Sequence, residues 1–125
     1  MGNILIVDDD RQFRNMLNRL LRERGHSIQE CSDGIYMDEI LRTGEIDMVF
    51  LDVIMEQKGG MEALIEVRQK YPPVEVVLMS GADSALADDF FQAAEYWGAR
   101  GCLQKPFSIE AVYRLVDEIL GAAKE

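Results

Sequence analysis

Three short runs of almost unbroken apolar residues recur along the chain: ILIV at Ile4 to Val7, MVFL at Met48 to Leu51, and the valine-rich VEVVLM at Val74 to Met79. Runs of this length bounded by polar residues read as strands, and between them the spacing changes to that of helices. Phe13, Met16, Leu17, Leu20 and Leu21 share one helical face, and Gly25 is placed to end that helix. Ser27 to Cys31 reads as a second, short strand. Asp33-Gly34 then makes a turn before a stripe of Met37, Ile40 and Leu41 that stops near Gly44. Met61, Leu64, Ile65 and Val67 form a third stripe, closed by Pro72-Pro73, and Leu86, Phe90, Ala94 and Trp97 a fourth. A fifth strand surrounds Leu103, and Ser108 is positioned to cap a last helix whose inner face is Val112, Leu115, Val116 and Ile119. Five strands alternating with five helices predict a doubly wound α/β domain. Parallel neighbours need crossover connections, and these cover both faces of the sheet. Strand order is not fixed by the pattern.

The totals limit the function. A chain of 125 residues is long enough for one core and too short for a catalytic domain plus a cap, so residues 1–125 are read as one domain without repeats or linkers. Its formal charge of −10 repels phosphodiester backbones and anionic headgroups, which argues against direct contact with nucleic acid or membrane. No apolar run approaches the roughly 20 residues that span a bilayer, and the start of the chain does not resemble a signal peptide, so a cytoplasmic protein is expected. Cys31 and Cys102 fit no metal or disulfide spacing and are expected to be buried thiols. His26, the only histidine, excludes multi-histidine metal sites and is expected in a surface turn. The aromatic residues, Tyr96-Trp97 included, are expected mainly in the core, with Tyr113 and Arg114 on a solvated face.

In sheets of this kind ligands bind beyond the C-terminal ends of the strands. Strand one ends in Asp8-Asp9, with Asp10 following, strand three in Asp52, strand four in Ser80, and strand five in Lys105, just before Pro106; Asp8, Asp9 and Asp52 are the carboxylates at issue. Each has an ordinary explanation alone: Asp10 as a helix cap, Ser80 as a turn residue, Lys105 as a surface charge. Together they bring three carboxylates, a hydroxyl and an ammonium to one edge. Carboxylates about 4 Å apart repel by roughly 1 to 4 kcal/mol, so such a cluster holds protons or a cation. Oxygen donors with few protein contacts suit Mg²⁺, which readily shares its shell with a phosphate. An aspartate neutralised in this way can attack a phosphoryl group and become an acyl phosphate, with the ammonium and hydroxyl stabilising the charge on its oxygens.

ILIVDDD, MVFLDVIM, VVLMSG and LQKPF, in this order and spacing, resemble the receiver domain of response regulators in two-component and phosphorelay signalling. The likeness covers essentially the whole chain. It implies a flavodoxin-like fold with five parallel strands in order 2-1-3-4-5. Asp52 is implied as the phosphoacceptor, taking phosphate from a phosphohistidine on a sensor histidine kinase or histidine phosphotransfer protein. Asp8, Asp9, Asp52 and the backbone carbonyl of Ile54 are implied as the Mg²⁺ ligands, Ser80 as the switch hydroxyl and Lys105 as the phosphate-pairing ammonium. The Lys105-Pro106 bond is often cis in the family. A downstream output protein or domain is the implied partner, and homodimerisation on phosphorylation is one form the output can take. The chain ends at Glu125 without an output domain, which fits both a stand-alone regulator and a piece of a longer protein.

Some positions depart from the family pattern. Glu56 stands where a proline is usual, Cys102 where Tyr or Phe normally partners the switch hydroxyl, and the stretch from Ser80 to Lys105 is a few residues long. Ile54 and Ala82 are apolar at sites from which polar side chains can orient an attacking water, which predicts slow self-dephosphorylation. Three other readings compete. A degenerate receiver would act only as an interaction module. A haloacid-dehalogenase-like phosphatase would use the D-x-D within residues 8–10, but would leave Asp52 without a role. A flavodoxin-like cofactor binder lacks its Ser/Thr-rich phosphate loop.

Overall fold

The computed structural model describes residues 2–53, 59–81 and 91–121. Strand β1 (Asn3–Val7) leads to helix α1 (Arg11–Glu23) and strand β2 (Ser27–Cys31). A 3₁₀ turn (Gly34–Tyr36) runs into α2 (Met37–Leu41), followed by β3 (Met48–Asp52), α3 (Gly60–Lys70) and β4 (Glu75–Ser80). Residues 91–96 are helical and are called α4; β5 (Gly101–Gln104) and α5 (Ile109–Leu120) complete the order. All strand pairings are parallel, and the sheet order is β2-β1-β3-β4-β5, as the resemblance implied.

Side chains alternate along a strand, so each apolar run supplies both faces of the sheet. Leu5, Val7, Val49, Leu51, Val76 and Leu78 point to one side, where Met37 and Leu41 of α2, Ala63, Leu64 and Val67 of α3, and Ala94 of α4 cover them. Ile4, Ile6, Met48, Phe50, Val77 and Met79 point to the other, against Leu17 and Leu21 of α1 and Val112 and Val116 of α5. Each fully buried Val, Leu, Ile, Phe or Met contributes about 1.5–3 kcal/mol, so the three central strands carry much of the stability. The helix starts follow the expected capping. The Asp10 carboxylate accepts from the Phe13 N–H at 3.1 Å, and the Ser108 hydroxyl accepts from the Ala111 N–H at 3.1 Å.

Several sequence expectations are corrected. His26 is not in a solvated turn but buried at 6% exposure, where its Nδ1 accepts a hydrogen bond from the Gly2 N–H at 3.1 Å. The cause is the tight return after α1. Gly25 adopts φ 94°, and the Ser27 N–H bonds to the Gly2 carbonyl, which folds the imidazole under the start of β1. The aromatic residues are only partly core: among the described residues Phe50 is the one fully buried ring, Phe13, Tyr71 and Phe107 pack partly buried against the two core clusters, and Tyr36, Tyr96 and Trp97 are exposed. Trp97 is 42% exposed and Tyr96 83%, their rings packed edge to face at 5.6 Å. Ala94 takes the core position of α4, and Gly98 (φ 99°) turns the chain away before Trp97 can reach inward. Tyr113 is half-buried instead of solvated: its hydroxyl donates to the Leu20 carbonyl at 3.2 Å, and the Arg24 guanidinium lies 4.2 Å from its ring centre. On α3 the fully buried residues include Ala63, while Met61 and Ile65 are only half-buried. The predicted fourth stripe begins at Leu86 and Phe90, which lie outside the described residues.

Cys31 and Cys102 are both free, as expected, but neither is fully buried. Both are half-buried, and burial pushes each thiol up to about 11, so neither is a ready nucleophile. No described helix is long and apolar enough to cross a membrane.

Candidate functional site

The register of the sheet builds the site. Val7 pairs with Leu51, so the next residues, Asp8 and Asp52, emerge side by side at the same end of neighbouring strands. Asp52 in turn pairs with Met79, and Ser80 with Gln104, which brings Ser80 and Lys105 to that same edge. One carboxylate oxygen from each of Asp8, Asp9 and Asp52 lies within 4.8 Å of the others. Asp8 is fully buried and Asp52 is 7% exposed, whereas Asp9 faces solvent.

Two carboxylates at such a separation repel by about 3 kcal/mol at an effective dielectric near 20, so the cluster requires cationic compensation. Lys105 supplies part of it. Its Nζ lies 2.6 Å from Asp8 Oδ2, with the lysine side chain 21% exposed. Asp8 Oδ1 accepts from the Asp10 N–H at 2.9 Å, which fixes the carboxylate from its other side. The Lys105-Pro106 bond is cis. The Lys105 N–H donates to the Ser80 carbonyl at 2.6 Å, and Ser80 itself is 2% exposed.

Helix α3 closes the cleft beside Asp52. The Gly60 N–H donates to the Val53 carbonyl at 2.8 Å, and the Val53 N–H to the Met79 carbonyl at 2.9 Å. A Cβ at position 60 would fall 2.6 Å from Val53 Cα and 2.7 Å from the Asp52 carbonyl oxygen, so only glycine permits this approach.

Asp8, Asp9 and Asp52 are therefore clustered and Lys105 is joined to Asp8, while Ser80 ends the strand beside Asp52. Ile54 lies outside the described residues, as do Glu56 and Ala82. Two neighbours escaped the sequence reading. Arg14 Nη1 donates to the Asp8 carbonyl at 2.6 Å while its Nε pairs with Glu30 at 3.0 Å. The Phe13 ring lies 4.0 Å from Lys105 Nζ. Both sit one helical turn beyond the aspartates, where a hydrophobic stripe and a surface charge masked them.

A carboxylate cluster of this shape offers oxygen donors only, which fits Mg²⁺ better than softer metals that favour nitrogen or sulfur. The family model of the response regulator receiver domain matches residues 4–117. The chain belongs to this family. As a receiver domain it is similar to part of the sensor kinase CckA of Brucella abortus, at 32% identity over 95% of the chain and 12% of that protein. It is likewise similar to the response regulator MprA of a Mycobacterium species (strain KMS), at 32% over 86% of the chain and 45% of that protein. The chemotaxis protein CheY of Halobacterium salinarum matches at 25% identity over 95% of the chain and 97% of its own length. Among solved structures, CheY4 of Vibrio cholerae superposes with a TM-score of 0.85 at 25% identity, covering 95% of this chain and 98% of that one. A two-component response regulator from Clostridium difficile reaches 0.87 at 25% identity, covering 96% of each chain. The receiver domain thus spans a small part of some relatives and nearly all of others.

Proposed function

We propose that this receiver domain, comprising residues 1–125, takes a phosphoryl group onto Asp52 from a phosphohistidine of a sensor histidine kinase or histidine phosphotransfer protein. The observation that carries the reading is the meeting of the Asp8, Asp9 and Asp52 oxygens within 4.8 Å beside the Lys105 ammonium. An Asp52 carboxylate oxygen attacks phosphorus, the new P–O bond forms as the P–N bond breaks, and the electron pair of that bond stays on the partner's imidazole. No general base is required, since the carboxylate is already ionised.

Asp8, Asp9, Asp52 and the carbonyl of Ile54 are the residues that would hold Mg²⁺. When bound, the ion neutralises charge on the carboxylates and on the phosphoryl oxygens. Lys105 releases Asp8 and pairs with a phosphoryl oxygen, and the Ser80 hydroxyl donates to another. The Ser80 movement is the switch, read out by a downstream protein or domain, with homodimerisation as one form of output. Cys102, too small to act as the usual aromatic partner, leaves that readout to other side chains. The chain assists only its own phosphorylation and dephosphorylation and is not an enzyme acting on a separate substrate. Its place of action is the cytoplasm.

Incubation with acetyl phosphate and Mg²⁺ followed by intact-mass measurement tests the reading. Wild type is expected to gain one phosphate and Asp52→Asn none. A wild-type chain that stays unmodified would instead support a phosphorylation-independent interaction module.

A further inference from the structure

We propose that Phe13 is a positioning residue for phosphoryl transfer, holding the Lys105 ammonium over its ring while that ammonium changes partners from Asp8 to the phosphoryl group. The inference rests on the reading of Asp52 as phosphoacceptor and extends it to a residue outside the strand ends.

The geometry is specific. Lys105 Nζ lies 4.0 Å from the centre of the Phe13 ring and 2.6 Å from Asp8 Oδ2, so the ammonium is held by one charged and one aromatic partner at once. The ring is itself fixed. Phe107 packs against it edge to face at 5.7 Å with an interplanar angle of 88°, and the Phe13 N–H is tied to the Asp10 carboxylate at the start of α1. Phe13, Met16, Gly81, Pro106 and Phe107 line the groove that carries the lysine side chain, and a Cβ at Gly81 would meet Lys105 Cδ at 3.7 Å.

The two partners differ in what happens to them during transfer. Asp8 is one of the carboxylates that would hold the divalent ion, so its claim on Lys105 weakens when the site is loaded. An aromatic face takes neither proton nor metal, and its attraction for an ammonium is unchanged by events at Asp52. A lysine stem has several rotatable bonds and a strongly hydrated head, and without a persistent partner it would leave the cleft for solvent once Asp8 lets go. The Phe13 ring supplies that partner while the ammonium is still bonded to Asp8, at the edge of the carboxylate cluster. A hydrocarbon side chain of similar size would fill the groove but would not attract the charge.

The test separates charge attraction from packing. Phenylalanine at position 13 is replaced, by site-specific incorporation, with its mono-, di- and trifluoro analogues, which weaken the negative ring face while keeping its shape and apolar character. The readout is the rate at which acetyl phosphate and Mg²⁺ place phosphate on Asp52. The rate is expected to fall stepwise with each fluorine. Phe13→Leu is expected to be about three- to tenfold slow, the span that one cation–π contact supports, and Phe13→Tyr to restore most of the rate. Amide spectra of each variant confirm the fold. A flat fluorine series with phosphorylated wild type overturns the role of Phe13 alone, whether or not Phe13→Leu is slow. A wild type that takes no phosphate overturns the phosphoacceptor reading and this role with it.

Discussion

Lys105 Nζ and Asp8 Oδ2 stand 2.6 Å apart although β3 and β4 lie between the strands that deliver them. The pair spans the cleft, with Asp52 and Ser80 ending the two intervening strands. Asp8 is fully buried, so removing the ammonium leaves a buried carboxylate facing two others. Lys105→Met is expected to destabilise the metal-free protein by about 1–3 kcal/mol, less than a fully buried pair because the lysine is partly solvated. Mg²⁺ should recover most of that loss by supplying the missing positive charge. Urea midpoints measured in chelator and in Mg²⁺ check this, and equal deficits in both would show that the pair has no share in the charge balance of the cleft.

Burial lowers the imidazole pKa of His26, the positive amino terminus and Arg24 act in the same direction, and Asp117 opposes them. The Gly2 N–H bonded to Nδ1 can only donate, so the folded state needs the neutral ring. A depressed folded pKa means that the unfolded chain takes up the proton first. The contribution of His26 is therefore full above the unfolded pKa, about 6.5, and is lost as pH falls through the lower folded value. The urea midpoint should drop between about pH 7.5 and about pH 5.5. His26→Asn, which keeps an acceptor near Nδ1 but does not titrate, should drop less; parallel curves for the two proteins would rule out this origin.

Gly59 and Gly60 are adjacent, yet alanine should act on them with opposite signs. A Cβ at Gly60 would overlap the backbone of Asp52 and Val53, and Gly60→Ala is expected to cost about 1–3 kcal/mol and to slow phosphorylation by displacing the start of α3. Gly59 has φ −66° and open space around its missing Cβ, so Gly59→Ala is expected to be neutral or to stabilise by about 0.4–1 kcal/mol through the unfolded chain. Denaturation midpoints and acetyl-phosphate rates for the two variants provide the comparison.

Trp97 is the sole tryptophan, which makes its exposure directly measurable. Native fluorescence should be red-shifted relative to a buried indole and readily quenched by acrylamide, with only a modest further increase in quenching on unfolding. Strong native protection would place the ring inside and contradict its packing on Tyr96.

The strands and the caps of α1 and α5 were legible because local signals sufficed: a short apolar run, or Asp10 and Ser108 three residues before the N–H that each accepts. Asp8, Asp52, Ser80 and Lys105 were legible for a related reason, since each follows or ends a strand and parallel strands share a direction. The strand order came from the family likeness, because periodicity carries no information about which strands are neighbours. His26 was misread because its burial depends on the start of β1, far away in sequence, folding over the return after α1. Trp97 was misread because helical spacing locates a face and not the point where Gly98 ends it. Ala63 was passed over because a small residue gives little hydrophobic signal, although its size suits a helix lying close to the sheet. Phe13 could be read only as core, since its second role depends on a lysine 92 positions away.

With every strand pointing the same way, the reactive groups stand at the ends of separate strands or in the connections that follow them, while the apolar residues that hold the domain together lie beneath them. A change in one loop can therefore retune which protein is recognised, or how long the chemical mark persists, and leave the scaffold intact. That independence lets one architecture serve many signalling routes without being refolded for each.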